Sequence, residues 1–336
     1  MLREQLLPQL KEYINSKTFK SYMLLEGTSK LSFLAQGEYN LNYLLQTSRG
    51  DFVLRINTGS QMNLENQIAY EYKALKLLQN SGVTPRPFYL DDSKKDIPYG
   101  LLVMDFLPGE PLDYRKDLLL AASTFAQIHG LEFEEEETDF LVKSARPFTA
   151  IYQEASALLD KYFSCSRADK EVKKILETAL LRAESRIKEE DYLLDAPWWA
   201  VINTEVNSHN FIVNRDYGTC HLIDWEKPIL GEPAQDLSMF LIATTTVWKR
   251  NYVLSPAEEK TFIDKYLEML PEHPYKHTLS TRIEMFKFFN YLRAISWCAM
   301  AWTEYTEPDG RQLVNMDTFE KIKAYIEPSF IKKYLL

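Results

Sequence analysis

Three oxygen-bearing side chains are spaced so that they could handle a metal-bound phosphate. Asn210 precedes the run Phe211-Ile212-Val213-Asn214, Asp224 follows the run Thr219-Cys220-His221-Leu222-Ile223, and Arg215-Asp216-Tyr217-Gly218 lies between them. Both runs have strand composition and the linker has turn chemistry, so the stretch predicts a hairpin. Pairing Asn214 with Thr219 places Asn210 opposite Ile223, and Asn210 and Asp224 then emerge at the same end. A carboxamide beside a carboxylate is a typical oxygen set for Mg2+, which keeps waters and takes further ligands from phosphates. Glu205 adds a carboxylate five residues before Asn210, on the loop entering the hairpin. Alone, an Asn or an Asp here is an ordinary turn residue. Their joint placement is what points to a site.

This layout resembles the catalytic loop of the aminoglycoside phosphotransferase and choline kinase family, which shares the protein-kinase-like fold. That family shows His-Gly-Asp, then Asn after a short spacer, a hairpin, an Asp in an Ile-Asp-Trp-type triplet, and a Gly-x-Pro-x-x-Asp-Leu tail. Asn210 stands at its metal-binding Asn and Asp224, in Ile223-Asp224-Trp225, at its metal-binding Asp. Gly231-Glu232-Pro233-Ala234-Gln235-Asp236-Leu237 matches the tail, where the acid braces the catalytic loop. The departure is Asn203-Thr204-Glu205 in place of His-Gly-Asp. Glu205 keeps the spacing to Asn210 and so takes the general-base position. Its extra methylene moves the carboxylate by roughly 1.5 Å, and misplacement on that scale costs about 100-fold in rate unless the loop is built around it. The departure therefore also defines an alternative, an inactive pseudokinase that binds nucleotide or a protein partner and transfers nothing.

The resemblance extends to the first third of the chain. Arg55 in Phe52-Val53-Leu54-Arg55-Ile56 stands where kinase-like folds place a cation on the α- and β-phosphates, and Glu71 on the following helix is the acid that holds it. Gly37-Glu38-Tyr39-Asn40 resembles the glycine turn that covers the phosphates, with Gly37 and Asn40 as its marked residues. Met104 to Leu107 resembles the lobe-connecting segment, in which the backbone at Asp105 and Leu107 would meet adenine. His129, on a helix, resembles a recurring core histidine of the family. Together these imply an α+β, bilobal protein-kinase-like fold, with a nucleotide-binding lobe over residues 1–106 and a helical lobe over 107–336. They imply ATP and Mg2+ as cofactors and transfer of the γ-phosphate to a hydroxyl of a small-molecule acceptor. Trp297, Trp302, Glu304 and Tyr305 could line an acceptor pocket suited to a cation, although aromatics at helical spacing more often belong to the core.

The elements that must position these residues are legible as periodicities. Lys30–Ala35, Asn42–Thr47, Asp51–Ile56 and Tyr99–Phe106 read as strands, and Ser48-Arg49-Gly50 as a hairpin turn. Asn66–Asn80 reads as a helix with Ile68, Tyr72, Leu75 and Leu78 on one stripe, stopped by Gly82 to Pro87. Leu6–Ser16 is a weaker amphipathic helix with a packing role. Beyond Gly109 the pattern is helical over Arg115–His129, Ala150–Tyr162, Lys170–Lys188, Pro233–Val247, Pro256–Met269, Leu279–Tyr305 and Met316–Tyr325. Phe286–Trp302 is apolar nearly all round and should be buried. Glu132–Glu137 reads as a solvated loop or helix start.

Composition narrows the partners. A chain of 336 residues, 46% apolar and 26% charged, has ample material for a core. A formal charge of −9 argues against nucleic acid and permits a cationic substrate. Three scattered cysteines form neither a disulfide framework nor a zinc set and fit a reducing compartment. The start lacks a signal-peptide apolar region and no apolar run is long enough to span a membrane, so the expectation is a cytoplasmic protein without a membrane partner.

Overall fold

Short β-rich runs punctuated by turn residues build the first part of the computed structural model, which describes residues 2–307 and 316–336. β1 (Lys30–Gln36), β2 (Asn40–Thr47), β3 (Gly50–Asn57), β4 (Pro87–Asp91) and β5 (Gly100–Asp105) form an antiparallel sheet ordered β1-β2-β3-β5-β4. Thr47 pairs with Gly50, so Ser48 and Arg49 make the expected tight turn. α1 (Leu2–Ile14) and α2 (Lys17–Met23) bury Leu6, Leu10, Phe19 and Met23 in one core with Tyr43, Leu45 and Leu54 of the sheet. α3 (Gln67–Leu78) starts where Asn66 accepts the Ala69 N–H at 3.2 Å, and it packs on β4 and β5. β4 was not expected, because Pro87 reads as part of a helix stop. As the first residue of an edge strand, however, a proline forfeits no ladder hydrogen bond.

The remaining strands are β6 (Glu110–Pro111), β7 (Ala200–Ile202), β8 (Phe211–Asn214), β9 (Thr219–Leu222) and β10 (Ile229–Gly231). The remaining helices are α4 (Tyr114–His129), α5 (Glu135–Thr138), α6 (Pro147–Ser164), α7 (Lys170–Arg186), α8 (Asp191–Asp195) and α9 (Pro233–Leu241), followed by α10 (Ala243–Arg250), α11 (Pro256–Met269), α12 (Leu279–Thr306), α13 (Met316–Tyr325) and α14 (Pro328–Leu335). Contacts divide the chain into two units. Met1–Pro111, Leu131–Val142 and Asn210–Pro228 form the first; Leu112–Gly130, Lys143–His209 and Ile229–Leu336 form the second. The first crossing lies close to the expected boundary after Phe106. The β8–β9 hairpin, expected with the helical lobe, joins the first unit instead. Its partners explain this: β8 pairs with β6, and Leu222 N–H donates to the Val83 carbonyl at 2.9 Å.

The second unit is helical around aromatic contacts. Phe148 of α6 stacks on Phe289 of α12 at 4.2 Å, and Phe125 of α4 meets Phe240 of α9 edge-on at 5.4 Å. α12 is buried over most of its surface, as its composition predicts. The single helix expected over Pro233–Val247 is broken at Ile242, whose backbone is extended (ψ 150°). Ile242 begins a new helix by accepting the Thr245 and Thr246 N–H groups, and the Tyr291 hydroxyl accepts the Ala243 N–H at 3.0 Å. The β-branched run Thr244–Thr246 weakens a continuous helix here. α14 was not anticipated. No helix among the described residues is long and apolar enough to cross a membrane.

The α3–β5 contact needs a glycine. A Cβ added at Gly100 would overlap the Ile68 side chain of α3. Gly100→Ala is therefore expected to lower stability by about 1–3 kcal/mol through overpacking, read as a lower urea midpoint at unchanged slope. An unchanged midpoint would mean that α3 can shift freely on the sheet.

Candidate active site

A buried arginine organises the first unit's share of the site. β3 carries Arg55 and α3 carries Glu71, and both side chains are almost wholly buried (5% and 1% exposed). Arg55 Nη1 donates to Glu71 Oε1 at 2.5 Å and to Asp224 Oδ1 at 3.0 Å, while Nε donates to Asn42 Oδ1 at 3.0 Å. Burial pulls the Arg55 guanidinium down, but the Glu71, Asp224 and Glu226 charges outweigh it and hold the group above its usual value. Burial pushes the Glu71 carboxyl up to about 7, against the pull of Arg55.

The acid loop follows from the hairpin. Asn214 pairs with Thr219, and Ile223 N–H donates to the Asn210 carbonyl at 2.8 Å, which is the expected register. Trp225 is fully buried and its indole N–H donates to the Leu222 carbonyl at 2.9 Å. This anchor turns the chain at Asp224, which adopts a left-handed backbone (φ +64°). Asp tolerates that conformation better than most side chains. Asp224 and Glu226 bring carboxylate oxygens within 4.8 Å of each other. Two carboxylates at this spacing suit a hard divalent cation, and Asn210 stands at the same end of the hairpin.

Glu226 was not among the expected ligands. Its signal is the alternation Asp224-Trp225-Glu226, in which the two acids flank the buried Trp. Asn40, expected in the phosphate-covering turn, begins β2, and its amide donates to the Glu226 carboxylate. Its own carbonyl oxygen Oδ1 accepts from Asn57 at 3.0 Å. Gly37 does sit in a tight turn, closed by its N–H on the Asn40 carbonyl at 2.9 Å. Asp105 ends β5; its N–H donates to the Arg86 carbonyl at 3.0 Å and its carboxylate accepts from Arg86. Among the described residues the Leu107 backbone makes no hydrogen bond.

Glu205 belongs to the second unit, on the loop after β7. Asp236, fully buried on α9, accepts the N–H groups of Asn203 at 2.7 Å and Thr204 at 2.9 Å. Asn203 Oδ1 accepts the Glu205 N–H at 3.0 Å. His129 is buried in α4, its Nδ1 3.2 Å from the Tyr266 hydroxyl and its Nε2 3.8 Å from Asp236. The bracing role of Asp236 and the core role of His129 match the sequence reading. Each member of the aromatic set on α12 has a partner from another element. Trp297 meets Trp248, Trp302 meets Tyr162, Glu304 pairs with Lys161 at 3.0 Å, and Tyr305 meets Phe319. Helical spacing sends these side chains to different neighbours.

An antiparallel sheet carrying a buried Arg–Glu pair, an acid loop after a hairpin, and a helical unit define a kinase-like phosphotransferase fold. The model of the APH phosphotransferase enzyme family matches residues 30–272, and the chain belongs to that family. The fold is shared with a choline kinase from Streptococcus pneumoniae (TM-score 0.61, 17% identity, covering 98% of this chain and 100% of that one). It is shared too with an ethanolamine kinase from Plasmodium vivax (TM-score 0.62, 15% identity, 91% and 84% covered). A third similar structure is a spectinomycin phosphotransferase in complex with ADP and spectinomycin (TM-score 0.61, 13% identity, 98% and 97% covered). No curated protein sequence matches the chain.

Two stability measurements test this geometry. Asp236→Ala leaves two buried N–H groups without acceptors, at about 1–3 kcal/mol each; Asp236→Asn, which keeps one acceptor oxygen, should recover part of that loss in urea unfolding. Glu71 holds its proton more tightly in the folded state than at its ordinary value of 4.5. Its protonation therefore favours the fold fully below that pH, and the benefit is lost as pH rises through about 7. Glu71→Gln should flatten stability across this window, and a slope identical to wild type would refute the assignment.

Proposed function

We propose that this protein is an ATP-dependent small-molecule kinase that moves the γ-phosphate to a hydroxyl of its acceptor. The observation that carries the reading is the network in which the buried Arg55 holds both the buried Glu71 and the partly exposed Asp224, with Glu226 beside them. Arg55 uses Nε and Nη1 in this network, so Nη2 is left to take a phosphate oxygen. Asp224, Glu226 and Asn210 would hold Mg2+, which bridges phosphate oxygens and neutralises charge during transfer. The turn at Gly37 would cover the phosphates, and the Leu107 backbone would meet adenine. Glu205 would orient the acceptor hydroxyl or take its proton. Supporting this role are its spacing to Asn210 and a loop pinned by Asp236. The similar structures act on choline, ethanolamine and spectinomycin, which makes amino alcohols and aminocyclitols the acceptors to try first.

The test is calorimetric ATP binding with and without Mg2+, then turnover on such an acceptor panel. Wild type should bind ATP in a magnesium-dependent way, and Asp224→Ala should lose that dependence. Glu205→Gln should leave ATP binding intact and lower turnover by about 100-fold or more. Binding without turnover on any acceptor would favour the pseudokinase reading, and no binding in either condition would remove nucleotide from the site.

A further inference from the structure

α3 presents more than Glu71 to the acid loop. Gln67, Tyr70 and Glu71 lie at helical spacings of three and four, on one face, and all three are buried (5%, 8% and 1% exposed). Gln67 Nε2 donates to the Glu226 carbonyl at 2.5 Å, and the Tyr70 hydroxyl donates to the Pro228 carbonyl at 2.5 Å. Glu71 reaches Asp224 through Arg55. The helix thus grips the segment at three alternate residues, 224, 226 and 228.

That segment lies between β9 and β10 and belongs to neither strand. Its buried carbonyls must still find donors. Each donor is itself held: Ser60 Oγ donates to Gln67 Oε1 at 2.6 Å, and Val142 N–H donates to the Tyr70 oxygen at 3.2 Å. Burial keeps the Tyr70 phenol above its usual value, so it remains a donor. A buried amide and phenol cost free energy unless bonded, and apolar side chains would fill the same helix face without that cost. Their polar ends therefore serve the acid loop rather than the core.

We propose that Gln67 and Tyr70 are positioning residues for the metal-binding carboxylates, fixing the main chain at Glu226 and Pro228 so that Asp224 and Glu226 converge on one cation. This rests on the kinase reading given above. It makes the helix that holds the phosphate-binding arginine also the template for the metal site, so the two form or fail together.

The experiment uses the full chain and two shape-preserving variants, Tyr70→Phe and Gln67→Met. ATP binding is titrated by calorimetry at stepped Mg2+ concentrations, and thermal unfolding is recorded without ligand. Partners behind metal ligands typically govern metal affinity by about 10–100-fold. Each variant should therefore raise the Mg2+ midpoint by at least about 10-fold while ATP binding without metal stays within about twofold of wild type. Unfolding temperatures that fall while the Mg2+ midpoint stays put would overturn the proposal and leave both residues as packing. Wild type is measured first: an absence of magnesium-dependent binding there refutes the kinase reading itself, and the proposal falls with it. A wild-type response that the variants share refutes only the proposal.

Discussion

The first unit depends on one cation that cannot be left alone. Arg55 is 5% exposed, and a guanidinium at that depth is tolerable only with carboxylates on it. Such a pair adds little net stability, because desolvation consumes most of the attraction, yet removing one partner is costly. Its consequence is therefore conformational. β3 must keep Arg55 facing inward, α3 must bring Glu71 over the sheet, and the hairpin must deliver Asp224 to the same guanidinium. Glu71, Asp224 and Glu226 all act on Arg55, so negative charge is in excess around it. Burial and that excess together raise Glu71. A divalent cation is the kind of partner that such an excess favours.

The acid loop reaches this geometry by anchoring one residue and straining the one before it. Trp225 is wholly buried with its N–H bonded, so the chain must turn sharply at Asp224. The left-handed backbone at Asp224 is local strain, and the bonds to Arg55 on one side and to the hairpin on the other hold it there. Asn40 extends the coupling. It closes the Gly37 turn with its main chain and holds the Glu226 carboxylate with its side chain. Movement of the turn that would cover phosphates is therefore tied to a carboxylate that would hold metal.

What could be read from the sequence was local. The hairpin register, α3 and the strands flanking Arg55 follow from short-range patterns, whereas the readings of Asp236 and His129 came through the family resemblance. The pairing of Asp224 with Arg55 was not reached, since the two are 169 residues apart. Glu226, Gln67 and Tyr70 were not reached at all. Their partners lie 186, 159 and 158 residues away, and no periodicity encodes such contacts. On α12 the candidate aromatics each meet partners from other elements, which the periodicity of a single helix does not reveal. β4 and the break at Ile242 were missed because proline and β-branched residues carry different meanings at an edge strand or a helix start than inside an element.

The substitution of Glu205 for the family's usual Asp gains meaning from its neighbours. Where the family has Gly in His-Gly-Asp, this chain has Thr204, and Thr204 still adopts the left-handed conformation (φ +69°) that a glycine would take freely. A β-branched residue there costs of order 1–3 kcal/mol, and the Asp236 carboxylate offsets it by fixing the Thr204 and Asn203 N–H groups. Asn203, in the position of the histidine, turns its side-chain oxygen onto the Glu205 N–H and closes a turn that shapes the loop just ahead of the carboxylate. The strained backbone at Thr204 is held by hydrogen bonds that are themselves buried. Glu205 therefore follows a stretch of main chain whose course is fixed on α9 by buried bonds.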